Sequence, residues 1–144
     1  MKYRYPTIED AIDIHKRTVA VSGGGSDGIL DTDKLEGVLE HIKNDDYYPE
    51  FEDKITHLFF CTNKFHCFQD GNKRLSIALA VHFLNLNGYM YCIGRFTTEM
   101  ENISVQVAAG LIDKELLHEL ICGILVEDFD NEELKLKYYQ AICG

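Results

Sequence analysis

The sequence predicts an all-α protein, a helical bundle built around one central buried helix. Three observations predict it. Apolar residues recur with helical period along most of the chain, and alternating strand-like patterns are almost absent. The run from Leu75 to Asn87 has nine apolar residues among 13, spread round the whole helical circumference, as expected of a helix surrounded by others. A chain of 144 residues that is 46% hydrophobic, with 8 Phe and 8 Tyr, has material for one core and argues against disorder. A single domain over 1–144 is the expected organisation, with no internal repeat and no low-complexity segment.

Thr7 stands as an N-cap, with Glu9 and Asp10 suited to the dipole of a first helix. Ile8, Ala11, Ile12, His15 and Val19 form its inner face, and the helix should stop near Ser22. GGGSDG (Gly23 to Gly28) follows. It comes after a helix rather than a strand and lacks a closing Lys-Ser or Lys-Thr, so it reads as a flexible connector and not a phosphate loop. Asp31 to Asp33 offers a second cap, ahead of Leu35, Val38, Leu39 and Ile42 at i, i+3, i+4, i+7. Asn44 to Glu52 reads as an exposed connection or a short β-hairpin flap, whose Tyr47, Tyr48 and Phe51 pack on the domain rather than cover a ligand.

Lys54 to Phe65 is the third predicted helix, with Ile55, Leu58, Phe59, Thr62 and Phe65 inward. The central helix ends at Asn87-Gly88. Tyr89 to Phe96 is ambiguous and is expected to run extended before a helix capped by Thr98, with Met100, Ile103, Val107, Ala108 and Leu111 inward. Asp113 starts a helix with a regular stripe of Leu116, Leu117, Leu120, Ile121, Ile124 and Leu125. A last helix, about Asn131 to Ile142, carries Leu134, Leu136, Tyr138 and Tyr139 after a solvated acidic turn.

The net charge of -10 disfavours direct nucleic-acid binding, because phosphate backbones are repelled. It leaves room for a small anion held by local cations. The five cysteines form no CxxC pair and several sit in apolar runs, which fits a reducing, cytoplasmic setting. The N-terminus lacks the apolar region of a signal peptide, and no run reaches the ~18 apolar residues of a membrane span. No membrane partner is expected.

Between the third helix and the central one lies HCFQDGNKR, His66 to Arg74. Asp70 or Asn72 can cap the central helix, and Gly71 allows a tight turn or close backbone approach. The helix N-terminus offers free N–H groups to an anion. Lys73 and Arg74 stand in the first turn, where the dipole repels cations, so their placement points to an anion. Asp70 beside that anion suits a Mg²⁺ bridging phosphates. His66 is suited to act as a general base near neutral pH. Phe68, between polar neighbours, is placed to plug into the core and fix the loop. These parts match phosphoryl or nucleotidyl transfer.

The stretch is similar to the motif of the Fic/Doc family, specifically its Doc (death-on-curing) branch. Every fixed position of that motif is met: His66, Phe68, Asp70, Gly71, Asn72, Lys73 and Arg74. Tyr48-Pro49, Lys54 to Lys64 and FLNLNGY (Phe83 to Tyr89) resemble the family's central block, and the likeness covers roughly Ile8 to Ala109. Cys67, Leu75-Ser76 and the helices beyond Asp113 depart from it.

The resemblance implies a Fic fold and transfer from Mg²⁺-ATP to a Ser, Thr or Tyr hydroxyl of a target protein. His66 would take the hydroxyl proton, Asp70 would help bind Mg²⁺, and Gly71, Asn72, Lys73 and Arg74 would hold phosphates. AMP-transferring members usually carry glycine where this chain has Lys73. The lysine resembles the Doc type, which presents the γ-phosphate and phosphorylates its target. For Doc that target is the translation factor EF-Tu, and an antitoxin relieves the growth arrest. An antitoxin partner is thus an expectation by resemblance. An AMP transferase and a non-catalytic binding or regulatory module are the alternatives.

Elsewhere, TTEMEN (Thr97 to Asn102) fits the family's inhibitory pattern. It lies just after the core and not on a separate helix, and reads as coincidence. His57 and Cys61, near His66 and Cys67, could be considered for zinc, but the spacing matches no common zinc pattern and packing is preferred. His82 and His118 read as hydrogen-bonded core or boundary residues.

Overall fold

The computed structural model describes residues 2–21, 32–64 and 72–144. Seven α-helices and one short 3-10 turn are present among them, with no strand: α1 (Ile8–Val21), α2 (Asp33–His41), α3 (Phe51–Lys64), α4 (Asn72–Leu86), the 3-10 turn Met90–Cys92, α5 (Ile93–Ala108), α6 (Lys114–Leu125) and α7 (Glu132–Cys143). The fold is all-α, as the sequence predicts. The GGGSDG stretch lies outside the described residues. No described helix is long and apolar enough to cross a membrane.

Local chemistry sets the helix starts. Thr7 and Asp10 form a reciprocal box: the Asp10 N–H donates to the Thr7 hydroxyl at 3.1 Å and the Thr7 N–H to the Asp10 carboxylate at 3.0 Å. Asp113 and Asn131 cap α6 and α7 by accepting from the Leu116 and Leu134 N–H groups. Thr32 precedes α2 without a side-chain cap bond. Gly88 ends α4 at φ 81, and the Tyr89 N–H reaches back to the Leu84 carbonyl at 2.9 Å.

The structure moves two predicted starts and thins two predicted faces. The connection at Asn44 to Glu52 contains turns rather than a hairpin, and α3 begins at Phe51, before Lys54. The Glu50 N–H donates to the Asp53 carboxylate at 3.0 Å, which lets the helix open there. Phe51 is buried, stacked on Tyr89 at 4.4 Å and packed against Phe83 at 4.7 Å. Tyr89 to Phe96 is not extended: the 3-10 turn runs straight into α5. Thr98 is therefore not a cap. It sits inside α5, its hydroxyl bonded back to the Gly94 carbonyl at 3.0 Å. On α5, Phe96, Met100, Ile103 and Val107 face the core, whereas Ala108 at its end and Leu111 in the turn beyond it are exposed. On α7 only Leu134 is buried; Leu136 and Tyr139 are exposed.

The centre is a pair of helices rather than α4 alone. α4 packs against α1, α3 and α5, while α3 packs against α2, α4, α5 and α6. Burial on α3 extends past its apolar stripe to Lys54, Thr56, Cys61 and Asn63. Lys54 is fully buried. Its ammonium donates to the Ile42 carbonyl at 2.8 Å and the Asp45 carboxylate at 2.7 Å, and lies 5.6 Å from the centre of the Tyr5 ring. Burial pulls its pKa down, but the bonds to Asp45 and Tyr5 outweigh this and leave it above the ordinary lysine value. The cation thus ties the N-terminal segment, the end of α2 and the start of α3 together.

Candidate active site

The ends of α3 and α4 that flank residues 65–71 carry the describable part of the site. His66, Cys67, Phe68, Asp70 and Gly71 lie outside the described residues, so base, metal ligand, anchor and turn rest on the sequence. Asn72, Lys73 and Arg74 are described. Asn72 is the first residue of α4 rather than its cap, and it is buried. Lys73 and Arg74 follow it and are both exposed. The first turn of α4 holds no acidic residue, and no described carboxylate pairs with either cation. Ser76 steadies the turn by donating to the Lys73 carbonyl at 2.6 Å. A helix N-terminus with two solvent-facing cations and no described counter-charge favours an anion by charge and by dipole.

The other flank is fixed by Asn63, one residue from the end of α3. Its amide donates to the Ser104 carbonyl of α5 at 3.0 Å, across the bundle. Its side-chain oxygen is buried and has no partner among the described residues. Sequence pattern gave no sign of this polar tie, because a buried Asn beside apolar positions looks like any break in the stripe. TTEMEN runs through the middle of α5. Met100 of that stretch is in the core, and Glu101 is exposed without a described ion pair.

His57, His82 and His118 are placed as boundary groups. His82 approaches Asp10 at 3.4 Å. The Thr7 N–H first, and His82 as well, hold the Asp10 carboxyl below the usual carboxylate range. His118 bonds Asp53 at 2.9 Å, with the Cys122 sulfur beside it at 3.7 Å. This Cys-His-Asp series does not make a nucleophile. Burial first, then Glu52, Asp53 and Glu119, push the Cys122 thiol up to about 11, so it is almost wholly protonated near neutrality. His57 and Cys61 lie 3.6 Å apart, and Cys61 is buried. Among the described residues no group of three or more His, Cys, Asp or Glu could hold a metal ion. The Lys114 ammonium donates to the His57 ring at 2.6 Å, and the ring packs on Tyr48 at 4.6 Å. Burial first, then the Lys114 and His41 charges, bring its pKa down to about 4.

The fold is an all-α bundle in which α3 and α4 share the centre and α4 opens on buried Asn72 and exposed Lys73 and Arg74. The family profile described as Fic/DOC family matches residues 5–84, from the N-terminal segment through nearly all of α4. The chain belongs to the Fic/DOC family, whose members are generally transferases that use ATP with Mg²⁺. Among individual proteins it is similar to Uncharacterized protein L909 of Acanthamoeba polyphaga mimivirus, with 24% identity over 143 residues. That alignment covers 91% of this chain and 33% of the viral protein, so the chain spans about a third of that relative's length.

Proposed function

We propose that the chain is a Doc-like phosphotransferase, moving the γ-phosphate of Mg²⁺-ATP to a hydroxyl of a target protein. The observation that carries this reading is the start of α4: buried Asn72 followed by exposed Lys73 and Arg74, with no acid in the turn. These groups fit a polyphosphate, and the N–H groups of the same turn add their dipole. Asp70 is the residue assigned to Mg²⁺, which when bound would neutralise phosphate charge.

In the reaction His66 accepts the target's hydroxyl proton as the oxygen bonds to the γ-phosphorus. The bond from that phosphorus to the bridging oxygen breaks, and ADP leaves. Lys73 and Arg74 offset the charge on the departing and transferred phosphates. Phe68 anchors the loop, and Gly71 allows close approach of its backbone. Lys73 favours phosphate over AMP transfer, because it fills and charges the position where AMP-transferring relatives keep glycine. The expected target is a translation factor of the EF-Tu kind, and an antitoxin is the expected partner in a cytoplasmic toxin system.

Mass spectrometry of a cell lysate incubated with the protein and Mg²⁺-ATP tests this. A target gaining one phosphate supports the proposal. A target gaining one AMP replaces it with adenylylation, and no modified protein leaves a non-catalytic module.

A further inference from the structure

A pocket lies between α3, the N-terminal turn of α6 and the Tyr47-Tyr48 turn. It is about 240 Å³ and is lined by Tyr47, Tyr48, Thr56, Lys114 and His118, with Asp53 and Glu115 completing it. Two independent observations there bear on what the pocket could bind. The first is Thr56, which is 1% exposed and whose hydroxyl has no hydrogen-bond partner among the described residues. Thr18, Thr62 and Thr98 each bond back to the carbonyl four residues earlier, at 2.7, 2.7 and 3.0 Å. That bond is the usual resting place of a helical threonine hydroxyl. Thr56 forgoes it while lining a cavity, and an unsatisfied buried hydroxyl costs on the order of 1–3 kcal/mol.

The second is Lys114. It is half-buried in the first turn of α6, where the dipole repels a cation, and no described carboxylate pairs with it. Its partners are the neutral His57 ring at 2.6 Å and the face of Tyr48 at 5.7 Å.

We propose that this cavity binds a carboxylate, held by the Lys114 ammonium and the Thr56 hydroxyl and flanked by the Tyr48 ring. The other charges choose the class of anion. Asp53 is already engaged, accepting from His118 at 2.9 Å and from the Glu50 N–H at 3.0 Å. Glu115 is exposed at the rim. The two lining carboxylates oppose any anion, and they oppose a phosphate dianion more strongly than a single carboxylate beside Lys114. The volume suits a short acid or a single Asp or Glu side chain. The site is independent of the phosphate-transfer reading, since none of its residues belongs to the His66 to Arg74 stretch.

The test is an NMR titration of the full chain with sodium propionate, following the Lys114 side-chain methylene and Thr56 methyl signals, with sodium chloride as the ionic-strength control. Saturable shifts at both groups are expected with propionate alone. Lys114→Met should abolish saturation. Thr56→Val should weaken binding about tenfold, the worth of a hydroxyl bonded to a charged group, while raising the thermal midpoint because an unpartnered polar group is removed. A short amidated peptide with one central Glu distinguishes the source: tighter binding than propionate assigns the carboxylate to a partner protein, and equal or weaker binding to a free acid. The proposal is overturned if propionate shifts neither signal beyond the chloride control, if the shifts persist in Lys114→Met, or if Thr56→Val binds as well as the parent.

Discussion

Lys73 and Arg74 are placed against the helix dipole, and that gives the site its clearest residue-scale test. Both are exposed and unpaired with any described carboxylate. Lys73→Ala and Arg74→Ala should therefore leave stability unchanged or raise it by about 0.3–1 kcal/mol in urea unfolding. The same substitutions should lower ATP-dependent transfer at least about tenfold if they remove even one charged hydrogen bond to phosphate. Lys54 should behave in the opposite way. Lys54→Ala strips the buried Ile42 carbonyl of its donor and opens a cavity, so a loss of about 2–4 kcal/mol is expected in the same assay.

His57 supplies a pH signature. Its folded-state pKa, about 4, lies below the ordinary 6.5 of the unfolded chain. The unfolded state then takes up a proton first, so stability falls as pH drops from about 6.5 to about 4. Urea unfolding across that window should lose about 1–2 kcal/mol more in the parent than in His57→Gln, allowing for solvent screening. The sequence made the motif residues legible because their types and order carry chemistry directly. Lys54, Thr56 and Asn63 were not legible, since each looks like a polar break in an apolar stripe until its burial is known.

At the scale of elements, a regular apolar stripe fixes a helix face, whereas a helix start depends on local bonds. α2 and α6 have their apolar positions inside because spacing alone sets them. α3 starts early because Asp53 reaches back to the Glu50 N–H, and α5 because the 3-10 turn leads directly into it. Both causes depend on which local bond wins, and Thr98 offers the same side chain to a cap or to the preceding turn. α7 meets α6 along one edge: only Leu134 is buried, while Leu136 and Tyr139 stay in solvent. Its docking on α6 depends on Gly123, where an added Cβ would stand 2.9 Å from Leu134 and 3.2 Å from the Phe129 backbone. Gly123→Ala should cost about 1–3 kcal/mol by overpacking. The check is amide exchange, which should quicken in α7 more than in α3 or α4.

For the whole molecule, the packing of α3 on α4 sets the scaffold. α3 and α4 share the centre, Asn63 ties the end of α3 to α5, and the start of α4 carries Asn72, Lys73 and Arg74. The family match ends within α4, while α5 and α6 complete the core around it. The central claim is that His66 to Arg74 transfers a γ-phosphate. Parallel incubations of the full chain and a cell lysate with γ-labelled and α-labelled ATP, each repeated with His66→Ala, test it most directly. The account predicts a protein labelled from γ-labelled ATP only, with the label lost in His66→Ala. Label from α-labelled ATP, or γ-label that survives His66→Ala, would contradict it.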